Sequence, residues 1–260
     1  MKNIHVGLSF DLAWLRQGRT PPELHRLDLL LFPELVDGGY SALADGGGVH
    51  TSGDSTLSLF RDLTRHFALI CVAGTVCFQN RDGTRRNSSL AFSGGTVIHR
   101  YDKIHLFHPA GDHHYFSRGS TFGAFRGVRG LRTGVIVCYD LRFPEIIRAM
   151  ALQGMRLLLV PARWPSVRDR IWRTLLRARA IENQIFVVGC NARGEEGGAS
   201  YAFDPLGEEI FSSRQARRRD VTLLTLSPGS LAAARRHHDN LKEALVLKSS
   251  RIPHSLSPRR

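Results

Sequence analysis

Apolar positions along this chain follow two alternating rhythms. Short runs of strand length occur at Ile4–Phe10, Leu27–Pro33, Leu69–Phe78, Val135–Val137, Arg156–Pro161 and Ile185–Cys190. Continuous runs of this kind predict strands buried on both faces. Between them, apolar residues recur every three or four positions, as a helix with one buried stripe requires. Leu57, Phe60, Leu63 and Phe67 predict a helix over Ser55–Phe67, and a second is expected from Pro144 to Gln153, closed by Gly154. A third, over residues 167–184, carries Ile171, Leu175 and Ala178 on one stripe, and Gly229–Lys242 predicts a fourth. Residues 11–26 should hold only a short or broken helix, because Gly18 and the Pro21-Pro22 pair interrupt the spacing.

The remaining segments read as connections and hairpins. Val36–Gly53 is glycine-rich and polar, and Pro109–Gly119 is polar; both predict loops. Ser89–Phe92 and Thr96–Tyr101 flank Ser93-Gly94-Gly95, a hairpin signal. Ser200–Gly207 and Val221–Ser227 predict two further strands, with a turn at Pro205–Gly207. No internal repeat is present. Strands alternating with helices predict a layered α/β protein.

Composition narrows the class of protein. The 260 residues suit one large domain, with 42% hydrophobic and 23% charged residues as in ordinary soluble chains. The formal net charge of +13 invites a nucleic-acid reading. The arginines are spread over nearly every segment, however, which favours a solvated basic surface. The domain is expected over 1–245. Residues 246–260 form a basic tail rich in Ser, Pro and Arg that reads as disordered. Met1–Phe10 lacks a long apolar stretch, and no run reaches about 18 apolar residues, so neither secretion nor membrane spanning is expected. Cys71, Cys77, Cys138 and Cys190 lie far apart without a C-x-x-C pair, which fits neither a disulfide framework nor a zinc site. A reducing cytoplasm is the expected compartment.

Three reactive residues fall at or just past predicted strand ends, where open α/β sheets place their sites. Glu34 follows L-D-L-L-L-F-P and is either an acid/base or an ion-pair partner. Lys103 lies in Y-D-K-I-H-L-F, next to an apolar segment that a solvated strand-end lysine would not need. Cys138 ends an apolar run and precedes a helix start at Pro144, the strand–turn–helix arrangement that presents a nucleophile. The other three cysteines read as core residues. Asp112, His113 and His114 raise the question of a metal, but adjacent residues point apart and a third ligand at suitable spacing is missing, so no metal or cofactor is expected.

Taken together the three residues make chemical sense. A free thiol has a pKa of roughly 8.5, so it needs a base at neutral pH. A neighbouring carboxylate accepts the thiol proton, and an ammonium stabilises the oxyanion that attack creates. The backbone N–H of Tyr139, directly after the nucleophile, is a candidate second donor; losing one such donor costs about 3–4 kcal/mol. A Cys–His pair using His105, His113 or His114 is the competing arrangement.

F-P-E at 32–34, Y-D-K-I-H-L-F at 101–107 and V-C-Y-D-L-R-F-P-E at 137–145 resemble the nitrilase superfamily of carbon–nitrogen hydrolases. The similarity continues through R-A-R-A-I-E-N-Q at 177–184, V-V-G-C-N at 187–191 and S-x-x-x-D-P-x-G at 200–207, and it looks most like the omega-amidase branch. The resemblance implies Glu34 as general base, Lys103 as oxyanion-stabilising cation and Cys138 as nucleophile. It implies a four-layer αββα sandwich. It also implies homodimers that pair sandwiches as αββα-αββα, with the helix after Cys138 and the C-terminal segment at the interface. The implied substrate is a short dicarboxylate monoamide such as 2-oxoglutaramate or succinamate, hydrolysed with water through a thioester. An N-carbamoyl amino acid, another linear amide or a nitrile is the enzymatic alternative, and a basic binding protein on a hydrolase scaffold the non-enzymatic one.

Three departures stand out. Where many relatives carry a second glutamate after the lysine, this chain has Asp112, one methylene shorter. Where the omega-amidase pattern reads A-N-W-P, this chain reads A-R-W-P, placing Arg163 beside Trp164. Arg163 or Arg142 is the candidate grip for a substrate carboxylate, since a guanidinium binds carboxylates in bidentate fashion. The alternative pairs Arg142 with Asp140 and turns Arg163 to solvent. Tyr40 completes the candidate binding residues. The third departure is the broken first helix, which touches no candidate catalytic position.

Overall fold

The computed structural model describes residues 2–194, 196–215, 219–236 and 238–244. The basic tail expected over 246–260 lies outside these described residues.

Strands β1 (Ile4–Leu8), β2 (Leu29–Leu31), β3 (Val49–His50), β4 (Ile70–Val72), β5 (Val76–Gln79), β6 (Arg85–Ser93) and β7 (Thr96–Asp102) form most of one sheet. A second sheet follows, with β8 (Ala124–Arg126), β9 (Arg132–Val135), β10 (Leu157–Ala162), β11 (Phe186–Asn191), β12 (Tyr201–Phe203) and β13 (Glu209–Ser212). The chain then returns to the first sheet as β14 (Thr222–Leu226), antiparallel to β1. The parallel centres are β1-β2-β4 in the first sheet and β9-β10-β11 in the second. Both sheets are mixed, since hairpins and returning strands add antiparallel edges.

Strand alternation separates the layers. Leu29 and Leu31 of β2 join the large core cluster that contains β9, β10 and β11, whereas Leu30 and Phe32 join Trp14, Leu57, Phe60 and Leu63 on the opposite face. The last three belong to α3 (Ser55–His66), preceded by α1 (Ala13–Arg16) and α2 (Gly39–Ala44). Asp54 caps α3 by accepting the Thr56 N–H. In the second sheet the Cys190 thiol lies 3.6 Å from the Leu31 carbonyl across the interface. Its neighbour Gly189 faces outward, where a Cβ would come within 2.6 Å of Trp172 and 2.7 Å of Leu176. Those residues belong to α6 (Asp169–Asn183), which follows α4 (Asp112–Tyr115) and α5 (Pro144–Leu152). Helix, sheet, sheet, helix is the expected four-layer α/β sandwich. Burial of a large apolar side chain such as Phe60 contributes about 2–3 kcal/mol before entropy is counted.

Five expectations change in detail, the first being that the polar segment 109–119, expected as a loop, contains the short helix α4. The run Leu69–Phe78 is two strands, because Gly74 (φ +63°) turns the chain where a Cβ would sit 1.8 Å from the Pro33 carbonyl oxygen. The glycine-rich segment 36–53 contains α2 and the two-residue β3. On α6 the buried stripe is Trp172, Leu176 and Ala180 rather than Ile171, Leu175 and Ala178, and Ile171 is exposed. The last helix divides into α7 (Gly229–Arg235) and α8 (Asn240–Glu243).

Candidate active site

Two parallel strands and one hairpin strand deliver the three reactive residues to one place. Glu34 follows β2, Lys103 follows β7 and Cys138 follows β9. All three are buried.

Cys138 sits on a sharp turn. Its φ of +45° is a left-handed conformation that a side chain with a Cβ adopts only when its surroundings hold it. A short 3₁₀ turn, Cys138–Arg142, leads to Pro144 at the first position of α5. Asp140 holds this turn. Its buried carboxylate accepts the Val137 N–H at 3.1 Å, the Tyr101 hydroxyl at 2.8 Å and the His105 N–H at 2.8 Å. The His105 Nδ1 is 2.9 Å from the same carboxylate, and its ring stacks on Phe143 at 3.6 Å. His105 is therefore committed to Asp140. His113 and His114 lie on the exposed surface, their rings 3.9 Å apart. Among the described residues, no cluster of three or more His, Cys, Asp or Glu side chains is arranged to hold a metal ion.

Lys103 Nζ lies 2.8 Å from Glu34 Oε1 and 2.7 Å from Asp112 Oδ2, with all three side chains fully buried. Asp112 also accepts the Phe107 N–H at 2.9 Å and the Tyr40 hydroxyl at 2.6 Å. The shorter side chain at 112 thus reaches the lysine. Glu34 Oε1 takes a further hydrogen bond from Asn87 Nδ2 at 2.8 Å, and Oε2 takes one from the Arg163 N–H at 2.9 Å. The backbone around Glu34 is clasped by Thr75, whose N–H bonds the Pro33 carbonyl and whose hydroxyl accepts the Leu35 N–H.

These charges set the protonation states. Burial pushes the Cys138 thiol up, the Glu34 charge pushes it further, and Lys103 offsets only part of this, so the resting sulfur is a neutral thiol. Burial alone would lower the Lys103 pKa, but the negative charge of Glu34, helped by Asp112, outweighs it and leaves the ammonium charged. Burial pushes Cys77 up to about 11 and Cys71 and Cys190 well above the ordinary thiol range. Those three are inert core residues.

Comparison with known proteins identifies the family. Residues 20–236 match the carbon-nitrogen hydrolase family. The chain is 35% identical over 193 residues to a 2-oxoglutaramate amidase of Bacillus subtilis (strain 168), covering 72% of this chain and 74% of that protein. It is 34% identical over 220 residues to the omega-amidase YafV of Escherichia coli (strain K12), covering 82% and 81%. The chain belongs to the carbon–nitrogen hydrolase family. Its fold is that of the nitrilase superfamily: the CN-hydrolase superfamily protein XC1258 from Xanthomonas campestris superposes with a TM-score of 0.79 at 27% identity, covering 96% of this chain and all of that one. Nit3 of Saccharomyces cerevisiae superposes with a TM-score of 0.78 at 23% identity, covering 91% of this chain and 94% of that one.

The mouth of this carbon–nitrogen hydrolase is a cavity of about 30 Å³ in front of Cys138, lined among others by Phe107, Tyr139, Arg142, Trp164 and Arg168. The Arg142 guanidinium lies 5.2 Å from the Trp164 ring centre and 5.9 Å from that of Tyr139. It has no carboxylate partner among the described residues; Asp140, its expected partner, is taken by Tyr101, His105 and Val137. Arg168 lies over Phe107 at 5.7 Å and is likewise without a carboxylate partner among the described residues.

Arg163 is not turned to solvent, the alternative expected for it. It lines the same cavity, but its guanidinium is committed to the protein: Nε donates to the Glu34 carbonyl, one terminal nitrogen to the Leu35 carbonyl and the other to Glu196. Asn87, Thr75, Arg168 and Glu196 were not singled out from the sequence. Asn87 left a faint signal, an amide in the middle of a strand that also carries Leu90 and Phe92.

Proposed function

We propose that this carbon–nitrogen hydrolase releases ammonia from a small dicarboxylate monoamide of the 2-oxoglutaramate or succinamate type, through a thioester on Cys138. The observation that carries the reading is a buried thiol under the influence of the buried Glu34 carboxylate, facing a small cavity that also presents the Arg142 guanidinium, which has no carboxylate partner among the described residues. Similarity to a 2-oxoglutaramate amidase and an omega-amidase supports the same substrate class.

The course follows from the charges. The amide carbonyl carbon meets the Cys138 sulfur while Glu34 accepts the thiol proton, so no free thiolate has to form first. Negative charge moves to the carbonyl oxygen, where the Lys103 ammonium and the Tyr139 N–H are the donors. Glu34 passes its proton to the departing nitrogen, the C–N bond breaks and ammonia leaves the acyl group on sulfur. Water then attacks the thioester as Glu34 takes its proton, and the proton returns to sulfur as the acid departs. Arg142, with Arg168 nearby, binds the remote carboxylate and aligns the amide. Asp112, itself held by the Tyr40 hydroxyl, is the second carboxylate that keeps Lys103 in place.

The enzyme is further proposed to act in the cytoplasm as a homodimer. The exposed Leu152, Ile171 and Ile181 on α5 and α6 support a pairing face there.

The test is ammonia release from 2-oxoglutaramate, succinamate, N-carbamoyl amino acids and simple nitriles. Turnover of the dicarboxylate monoamides supports the proposal. Activity confined to carbamoyl compounds or nitriles contradicts it, as does salt-sensitive retention on nucleic acid with no ammonia release from any compound.

A further inference from the structure

Arg163 grips Glu34 at both ends. Its backbone N–H donates to the carboxylate at 2.9 Å, and its side-chain Nε donates to the same residue's carbonyl at 2.8 Å. A terminal guanidinium nitrogen bonds the next carbonyl, that of Leu35, at 2.8 Å. Leu35 has a φ of +45°, a conformation that costs of order 1 kcal/mol for a residue with a Cβ and persists only under constraint. The remaining terminal nitrogen is anchored by Glu196 Oε2 at 2.9 Å.

The pair also rests on a third segment. A Cβ at Gly39 would come within 2.6 Å of Glu196 Oε2 and 2.7 Å of the Arg163 guanidinium carbon, and Gly39 has a φ of +70°. Gly39 opens α2, whose next residue, Tyr40, donates to Asp112 beside Lys103. The Arg163–Glu196 pair therefore joins the backbone of Glu34, the start of α2 and the loop after β11. An asparagine, as in the omega-amidase pattern, is too short to reach two carbonyls and a carboxylate from this position.

We infer that Arg163, braced by Glu196, is a positioning residue for Glu34, fixing the backbone of the base rather than binding the substrate. The inference rests on the role of Glu34 proposed above, and its consequence is a split between kinetic constants. A residue that only aims the base changes kcat and the reactivity of the thiol. A residue that grips the substrate carboxylate changes KM for acidic amides.

The experiment compares Arg163→Asn, Arg163→Lys and Glu196→Gln with the native enzyme. One measurement is steady-state turnover of an acidic amide; the other is the pH dependence of Cys138 alkylation by iodoacetamide, read by peptide mass spectrometry. Misplacing a reacting group by about 1 Å costs on the order of 100-fold, so kcat for Arg163→Asn should fall roughly 10- to 100-fold with KM little changed. Alkylation should slow in parallel across the pH range, because a displaced Glu34 no longer takes the thiol proton as the sulfur attacks. Glu196→Gln, which keeps one acceptor, should show the same changes to a smaller extent. A raised KM for acidic amides with unchanged kcat and alkylation would overturn the inference in favour of a carboxylate grip. Native kcat and alkylation profiles in Arg163→Asn would overturn it outright. If Arg163→Asn does not fold, as judged by circular dichroism, Arg163→Lys and Glu196→Gln decide by the same criteria. Alkylation needs no substrate, so a failure of the substrate proposal leaves this result readable.

Discussion

Tyr101 donates its hydroxyl hydrogen bond to the Asp140 carboxylate at 2.8 Å, joining the strand that ends before Lys103 to the turn that presents Cys138. Both side chains are buried, and the same carboxylate holds the Val137 and His105 N–H groups. Asp140→Ala leaves these donors unpaired and should cost about 3 kcal/mol. Tyr101→Phe removes one bond and should cost about 1 kcal/mol. Urea unfolding of the two variants checks both values, and kcat should fall in each because the cysteine turn loses its tie to the lysine.

Arg142 carries the substrate-binding prediction. A guanidinium–carboxylate hydrogen bond contributes about 1.5–3 kcal/mol, which corresponds to roughly 10- to 100-fold in affinity. Arg142→Gln should raise KM for acidic amides by that factor and leave KM for a neutral amide such as butyramide nearly unchanged. Competition kinetics with the two classes of amide measure the difference.

His50 provides a pH signature remote from the chemistry. Its buried ring lies 3.2 Å from Asp37 and 2.9 Å from Asp54, and Arg16 pairs with Asp37. Burial alone would lower the imidazole pKa, but the two carboxylates outweigh it and raise it above 6.5. A raised pKa in the folded state means that this contribution to stability is complete below pH 6.5 and is lost as pH rises through the folded value. Asp37 has the opposite sign. The close contact with His50 is the main cause that holds its pKa well below 3.8, so its contribution is present above 3.8 and is lost as pH falls through the depressed value. The urea midpoint should therefore decline above pH 6.5 in the native protein, and His50→Gln should flatten that decline.

Gly74 tests the backbone that carries Glu34. A Cβ would sit 1.8 Å from the Pro33 carbonyl oxygen, and the φ of +63° adds strain. Gly74→Ala should destabilise the fold by about 3 kcal/mol or more, since both the clash and the left-handed conformation oppose it. Thermal unfolding should show the loss, and in whatever folds the Pro33–Leu35 segment should be displaced and kcat reduced.

The layered fold was legible because most of its strands are apolar runs and its longer helices are amphipathic. Glu34, Lys103 and Cys138 were legible because each interrupts or ends such a run. What escaped depended on contacts between distant segments. Asp140 reads as a neighbour of Arg142 along the chain, yet its partners are Tyr101, His105 and Val137. Arg163 reads as a free cation beside a tryptophan, but the folded chain brings two carbonyls and Glu196 to it. The division of the segment 69–78 hinges on how closely Gly74 approaches Pro33, which spacing alone does not reveal. The stripe on α6 is displaced because Trp172 and Leu176 fill the space above Gly189, a fit that a count of apolar positions does not contain.

The measurement that bears most directly on the account is mass spectrometry of the enzyme acid-quenched during turnover of 2-oxoglutaramate or succinamate, alongside Cys138→Ala assayed for ammonia release. The account predicts an acyl group, the substrate less ammonia, on the peptide containing Cys138, and no turnover by Cys138→Ala. An acyl group on a different residue, or native ammonia release by Cys138→Ala, would contradict it.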